Sequence, residues 1–168
     1  MRYAIVYSSL TGNTKQLAET IRAALPVQDC VYFGEPSAEA LSADLIYAGF
    51  WTDKGQCDTK TEAFLETLTT QKVFLFGTAG FGGAAEYFDK VIKRTKAVLP
   101  GTVTMIGSYM CQGRMPMSVR QRYEKMQKSP IPIPRIGQMI ENFDNALSHP
   151  DEADLAHLRE TVLACEIK

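Results

Sequence analysis

Hydroxyl and amide side chains are concentrated in one short segment near the start of the chain, Ser8-Ser9-Leu10-Thr11-Gly12-Asn13-Thr14. The segment lies between an apolar run, Arg2–Tyr7, and a stretch with helical spacing of apolar residues, Asn13–Leu25. Free N–H groups at the start of a helix attract anions, and hydroxyl groups add hydrogen-bond donors without adding charge. The segment lacks the Gly-Lys-Ser/Thr ending of a Walker A loop and the glycine fingerprint of dinucleotide sites. We interpret it as a phosphate-binding turn; an ordinary Ser/Thr-rich helix cap is the alternative.

Two later segments place aromatic residues and glycines at the ends of apolar runs. The segment Gly49–Gly55 follows the run Asp44–Phe50 and carries Trp51, the only tryptophan of the chain. A loop aromatic beside a phosphate site can stack on a planar ring system; the alternative is that Trp51 covers the core or a partner interface. The segment Gly77–Gly83 offers Phe81, and its glycines let the backbone approach a ligand closely. Ordinary turn chemistry would also explain this third segment.

A regular alternation of strand-like and helix-like segments must position these three segments. The predicted strands are Arg2–Tyr7, Val31–Phe33, Asp44–Phe50, Lys72–Phe76 and Thr102–Gly107, and the predicted helices are Asn13–Leu25, Thr59–Leu68, Ala84–Val98 and Glu152–Cys165. Such alternation indicates βαβ units and a parallel sheet, and right-handed crossovers then give a doubly wound α/β fold. Ligands bind at the carboxyl ends of the strands in such folds, so we expect the three segments to meet at one edge of the sheet.

The segment Ser108–Asp151 interrupts the alternation. It contains a basic helix candidate, Ser118–Lys128, a proline-rich run, Ser129–Pro134, and a second helix candidate, Ile136–Leu147. Because structureless loops of this length are uncommon in compact domains, we interpret the segment as a partly ordered lid or flap.

Composition and charge exclude several classes of protein. The 168 residues are 45% apolar and carry 18 basic and 19 acidic side chains, a net charge of −1. This balance argues against a nucleic-acid-binding or membrane-surface protein, and no apolar stretch is long enough to span a membrane. The four cysteines form no Cys-x-x-Cys pair, which argues against a zinc site. Without a recognisable signal peptide, the sequence predicts a cytoplasmic protein with a single domain, residues 1–168.

Taken together, the three segments resemble the flavodoxin family, whose first loop has the form Ser/Thr-x-Thr-Gly-Asn-Thr. The resemblance covers roughly residues 1–107 and the final helix. It implies a three-layer fold with five parallel strands in the order 2-1-3-4-5, and FMN as the cofactor. The cofactor-binding residues implied by the match are Ser8, Ser9, Leu10, Thr11, Gly12, Asn13, Thr14, Phe50, Trp51, Thr52, Asp53, Lys54, Gly55, Thr78, Ala79, Gly80, Phe81 and Gly82.

The resemblance also implies a division of roles among these residues. The phosphate would be held by Ser8, Ser9, Thr11, Asn13 and Thr14. Trp51 would stack on the isoalloxazine ring, while Thr78, Gly80 and Phe81 would line its other side or the ribityl chain. Gly55 is the candidate for the flexible peptide that accepts the N5 proton of the reduced ring, with Asp53 or neighbouring peptides as alternatives.

We consider three functions, given this resemblance and the additional segment Ser108–Asp151. The leading hypothesis is an FMN electron carrier that donates electrons to a partner reductase, with no catalytic residue and no metal of its own. Some similar small proteins resemble accessory donors to anaerobic reductases, including reductases of tetrapyrrole pigments. The second hypothesis is an FMN-dependent reductase whose flap, residues 108–151, covers a small substrate contacted by Cys111–Arg114. The third is a flavin-free interaction module on the same scaffold.

Charge and cysteine positions add two further expectations. Residues 86–130 carry nine basic and three acidic side chains, +6, so the remainder sums to −7. This basic segment would steer an acidic redox partner or an anionic substrate, or it is simply a solvated helix face. With Lys54 beside the ring, we expect a less negative potential for the second reduction than in strongly acidic relatives. Cys57 and Cys111 each follow a strand at the functional edge; two buried, unpaired thiols are favoured over a redox dithiol.

Overall fold

A parallel sheet forms the centre of the protein in the computed structural model, which describes residues 1–82 and 84–166. Its strands are β1 (Tyr3–Tyr7), β2 (Cys30–Gly34), β3 (Leu45–Asp53), β5 (Lys72–Ala79) and β6 (Thr104–Gln112), in the order β2-β1-β3-β5-β6. The short strand β4 (Gln56–Cys57) pairs antiparallel with the end of β3. Counting only the parallel strands, the order is 2-1-3-4-5, and the predicted fold class is confirmed.

Helices cover both faces of the sheet. The helices are α1 (Asn13–Ala24), α2 (Thr59–Leu65), α3 (Ala85–Lys96), α4 (Met117–Gln127), α5 (Ile136–Ala146) and α6 (Glu152–Glu166), with 3-10 turns at Val27–Asp29 and Ala38–Ser42. Side chains of β3 alternate between the two faces, as a strand requires. Leu45 and Tyr47 pack with residues of α1 and α6, whereas Ile46 and Ala48 pack with residues of α2 and α3. Two separate cores therefore lie on the two faces of the sheet, and both contain residues of the central strand β3.

Glycine and phenylalanine face each other twice across the central strands β3 and β5. Gly49 is paired with Phe76, and Phe50 is paired with Gly77. A Cβ atom added at Gly49 would lie 2.3 Å from the Phe76 ring, and one at Gly77 would lie 2.5 Å from the Phe50 ring. Each glycine therefore makes room for a buried aromatic ring directly below the carboxyl edge of the sheet.

We expect Gly77→Ala to lower the free energy of unfolding by about 1–3 kcal/mol, because the added methyl group overpacks the Phe50 ring. Gly101→Ala is the matched control, since a Cβ atom at Gly101 meets no atom within 4 Å. That variant should stay within about 0.5 kcal/mol of the parent. Urea unfolding of the cofactor-free protein measures both values. Equal stability of the two variants would contradict the packing argument.

Strands β3, β5 and β6 run further at their carboxyl ends than the sequence predicts. β6 continues to Gln112 rather than ending at Gly107, because it pairs with β5 as far as Ala79 and Gln112. The residues from Ser108 to Gln112 are therefore strand, not flap. The predicted helices Ser118–Lys128 and Ile136–Leu147 are present as α4 and α5, so the segment after β6 is largely helical. Among the described residues, no helix is long and apolar enough to cross a membrane.

Candidate cofactor-binding site

A cavity of about 550 Å³ opens at the carboxyl edge of the sheet, within the size range of small-molecule sites. Eleven of the predicted residues line it: Leu10, Thr11, Asn13, Trp51, Thr52, Asp53, Lys54, Thr78, Ala79, Gly80 and Phe81. Six further lining residues were not predicted to bind the cofactor, although the reductase hypothesis names the first two as substrate contacts: Gly113, Arg114, Met115, Pro116, Val119 and Arg122. The three predicted segments therefore meet at one cavity, and the segment after β6 completes its wall.

The first segment turns sharply into α1. Gly12 has φ +91°, a left-handed conformation that favours glycine, and a Cβ atom there would meet nothing within 4 Å. The Ser9 hydroxyl oxygen accepts from the backbone N–H groups of Gly12, at 3.1 Å, and Lys15, at 3.3 Å. The first turn of α1 contains no acidic side chain. An anion at this helix start therefore meets open space at Gly12 and no competing carboxylate, while Ser9 already accepts from two of the local N–H groups.

Thr14 joins the first segment to the strand ends instead of facing the cavity. Its side chain is buried, and its hydroxyl donates to the Phe50 carbonyl oxygen at 3.1 Å. The same hydroxyl lies 3.1 Å from that of Thr78. The Phe50 ring is buried in the core on the α2 and α3 side. The predicted residues that do not line the cavity are Ser8, Ser9, Gly12, Thr14, Phe50, Gly55 and Gly82.

Asn13 connects α1 to the segment after β6. Its amide nitrogen Nδ2 donates to the Arg114 carbonyl oxygen at 2.8 Å, which fixes the orientation of the side chain. Its Oδ1 atom is buried and has no hydrogen-bond partner among the described residues. Since Asn13 lines the cavity, a hydroxyl group of a bound ligand can supply the missing donor.

The second segment is a tight hairpin rather than an irregular loop. Lys54 has φ +51° and Gly55 has φ +83°, the paired positive values of a two-residue type I′ turn between β3 and β4. The Arg94 side chain of α3 donates to the Gly55 carbonyl oxygen at 3.3 Å. A Cβ atom at Gly55 would lie 2.5 Å from the Arg94 Nη1 atom. The positive φ of residue 55 therefore favours glycine here, and Arg94 contacts the peptide that the family resemblance implies as the partner of the N5 proton.

The third segment is held by residues from outside it. The Gly80 carbonyl oxygen accepts from Gln112 Nε2 and from Asn142 Nδ2 of α5, both at 3.0 Å. A Cβ atom at Gly80 would lie 2.5 Å from the Met115 sulfur, so this glycine allows close packing. Phe81 lines the cavity with 44% of its surface exposed. Gly83, at the end of the predicted segment, lies outside the described residues.

The thiols of Cys57 and Cys111 lie on opposite faces of the sheet. Cys57 packs in the core beneath α2 and α3, and Cys111 packs in the core beneath α1 and α6. Burial, the largest cause, raises the pKa of Cys57 to about 11 and raises the pKa of Cys111 still more strongly. Both thiols are free, and neither lines the cavity. The favoured expectation of two buried, unpaired thiols is confirmed, and their positions in separate cores argue against the redox-dithiol alternative.

We expect iodoacetamide at pH 8 to modify Cys57 and Cys111 at least about tenfold more slowly than the half-buried Cys30 and Cys165. Only the thiolate reacts, and a raised pKa keeps the two buried groups protonated at pH 8. Their labelling rate should rise as the pH approaches the raised pKa values. Mass-spectrometric mapping measures each site, and labelling in urea is the control in which all four cysteines should react. Fast modification of Cys57 in the folded protein would contradict this assignment.

His149, Asp151 and Asp154 form a small cluster at the start of α6 and do not line the cavity. Their ligand-type atoms lie within 4.8 Å of one another. Asp151 and Asp154 cap the helix reciprocally: each carboxylate accepts from the backbone N–H group of the other residue at 2.9 Å. The hydrogen bond from the Asp154 backbone is the largest cause that lowers the pKa of Asp151. Helix capping accounts for the two carboxylates.

Comparison with known proteins places the chain in a family. A family profile described as a flavodoxin domain matches residues 4–163. BilS of Clostridium symbiosum, described as a flavodoxin-like domain-containing protein, is 39% identical over 181 residues, covering 98% of this chain and 95% of that protein. A protein of the same description from Clostridioides difficile is 31% identical over 159 residues, covering 92% and 90%. The chain belongs to the flavodoxin family.

Solved structures agree at the level of the fold. An archaeal flavodoxin covers 98% of this chain and 96% of its own, with 15% identity and a TM-score of 0.52. Flavodoxin 2 from Bacillus cereus covers 99% of both chains, with 19% identity and a TM-score of 0.51. Membership of the family supports FMN as the cofactor and electron transfer as the type of function. The open helix start fits a phosphate, the Asn13 oxygen that lacks a partner among the described residues fits a ribityl hydroxyl, and the aromatic cavity wall fits a flat ring.

Proposed function

We propose that this protein is an FMN electron carrier that donates electrons to a partner reductase. Bound FMN supplies the redox chemistry, since it can take up and release electrons one at a time. The observation that supports the proposal most directly is that residues of all three predicted segments line one cavity at the carboxyl edge. One part of its wall, Thr11 and Asn13, belongs to the helix start, and another part carries Trp51 and Phe81. The predicted cytoplasmic location belongs to the same proposal.

The chemistry of the cavity wall favours a carrier over a reductase that acts alone. Among the described residues that line it, none is histidine, cysteine or tyrosine, and Asp53 is the only carboxylic acid. A reductase that protonates a substrate needs a suitably placed acid. The second candidate function, an FMN-dependent reductase, is favoured by one observation: the segment after β6 supplies six of the lining residues. A wall of this kind can enclose a small substrate.

A visible absorption spectrum of the purified protein, repeated during anaerobic stepwise reduction, tests the proposal. We expect a yellow protein that releases FMN on denaturation and takes up electrons in two resolved one-electron steps. Reduction in a single two-electron step would favour the reductase over the carrier. A protein that remains colourless after FMN is added would overturn both functions. Because Trp51 is the only tryptophan, its fluorescence should also fall as FMN binds.

A further inference from the structure

Three cations and one carboxylate line the cavity. The cations are Lys54, Arg114 and Arg122, and the carboxylate is Asp53. All three cationic side chains are exposed, and none of them takes part in an ion pair among the described residues. The formal charges of these three cations and of Asp53 sum to +2. A phosphate monoester carries about −1.5 to −2 at neutral pH, so bound FMN would nearly balance this charge.

Of the three cations, Arg114 is the one fixed beside the start of α1. Its carbonyl oxygen accepts from Asn13 Nδ2 at 2.8 Å, and its N–H group donates to the His149 carbonyl oxygen at 2.9 Å. The preceding residue, Gly113, donates its N–H group to the Ala79 carbonyl oxygen at 2.9 Å. A Cβ atom at Gly113 would lie 2.5 Å from the Asn13 amide, so the two segments are in tight contact. The Arg114 backbone is therefore held against the helix start by three separate segments.

The other two cations are attached elsewhere. Lys54 lies in the β3–β4 turn, three residues after Trp51, and Arg122 lies in the second turn of α4. Lys15, in the first turn of α1, does not line the cavity. An arginine has a planar fork of donors that matches two phosphate oxygens at once. Arg114 is thus the cavity-lining cation best placed for a phosphate at the start of α1.

The start of α1 has a second feature, which indicates a ligand that carries a hydroxyl group beside its phosphate. Asn13 is 6% exposed, lines the cavity, and carries the buried Oδ1 atom without a partner among the described residues. The Arg114 carbonyl oxygen occupies its amide nitrogen and so keeps Oδ1 as the atom still to be paired. The same contact therefore positions both the Asn13 acceptor and the Arg114 backbone.

We propose that Arg114 is a phosphate-binding residue, whose guanidinium closes the FMN phosphate site from the segment after β6. This inference rests on the proposed binding of FMN at this cavity. It assigns to that segment a direct part in holding the cofactor, in addition to covering it. A neutral, hydroxyl-lined turn binds phosphate through hydrogen bonds alone, whereas an added arginine makes binding depend on charge and therefore on salt.

Riboflavin, which lacks the phosphate, separates this role from a general effect on the cavity. We expect Arg114→Gln to weaken FMN binding by about tenfold or more, as for loss of a hydrogen bond to a charged group, and riboflavin binding by less than about twofold. Arg159→Gln is the matched control, because it removes the same charge at an exposed position of α6 that does not line the cavity. It should change the FMN-to-riboflavin affinity ratio by less than about twofold. Quenching of Trp51 fluorescence measures each affinity at low and at high salt, and thermal unfolding shows that each variant folds.

Two further measurements test whether Arg114 acts through its charge and its planar guanidinium. Arg114→Lys keeps the charge but loses the planar fork, so it should restore part of the FMN affinity. The salt dependence of FMN binding should be weaker in Arg114→Gln than in the parent protein or in Arg159→Gln. An unchanged affinity ratio in Arg114→Gln, or an equal change in both glutamine variants, would overturn the role of Arg114. A parent protein that binds neither flavin would instead overturn the proposed function.

Discussion

Thr11→Asp should weaken FMN binding by roughly 100-fold while changing riboflavin binding by less than about threefold. Thr11 is half-buried and lines the cavity beside the start of α1. An aspartate there removes a hydroxyl donor and places a negative charge close to the phosphate. The lost hydrogen bond costs about 1 kcal/mol, and charge repulsion over a few ångströms near a protein surface adds about 2 kcal/mol. Since 1.4 kcal/mol is about a factor of ten, the sum gives the expected loss.

Thr70→Asp is the matched control for this prediction. Thr70 is exposed and precedes β5, at the opposite end of that strand from the cavity. The same change of residue type and charge should leave both flavin affinities within about twofold of the parent. Titration of Trp51 fluorescence with each flavin gives the four dissociation constants. If Thr11→Asp weakened FMN and riboflavin equally, the phosphate would not lie near Thr11.

The sequence predicted the placement of the three segments because parallel topology dictates it. All carboxyl ends of the strands lie at one edge of a parallel sheet, so Thr11, Trp51 and Phe81 meet there whatever the details of packing. The position of each side chain within a segment was less predictable. Along β3 the two faces alternate, and Phe50 enters the core while its neighbour Trp51 reaches the cavity. The predicted end of the strand at Phe50 concealed this alternation, because β3 continues to Asp53.

Residues after β6 were missed as cofactor-site residues because a long-range contact positions them. The hydrogen bond between Asn13 and Arg114 joins residues 101 positions apart, and no local pattern specifies it. The available signal was the long segment before the last helix, which indicated a flap but not the direction in which it folds. Two glycines were also hard to interpret from the sequence, because they look like turn residues. In the structure, the absence of a side chain lets Gly80 pack closely against Met115 and Gly113 against Asn13.

Trp51→Ala should weaken binding of FMN and riboflavin to the same extent, by about 10- to 30-fold. Stacking of a flat ring on an aromatic side chain contributes about 1–3 kcal/mol, and both flavins carry the same ring. Trp51 is half-buried, so its loss should affect folding less than loss of a core residue would. Trp51→Phe keeps an aromatic face and should recover most of the affinity. Because these variants lack tryptophan, the quenching of flavin fluorescence is the measurement for them.

Phe33→Ala is the matched control for the stacking argument. Phe33 is a half-buried aromatic residue of β2, at the edge of the sheet, where it packs against Tyr7 with ring centres 5.4 Å apart. It does not line the cavity, so its removal should leave both flavin affinities within about twofold. An effect of Trp51→Ala on FMN alone would contradict stacking on the ring. Thr11→Asp and Trp51→Ala together locate the two ends of the cofactor in the cavity. Only a change at the phosphate end distinguishes FMN from riboflavin, whereas a change at the ring end affects both.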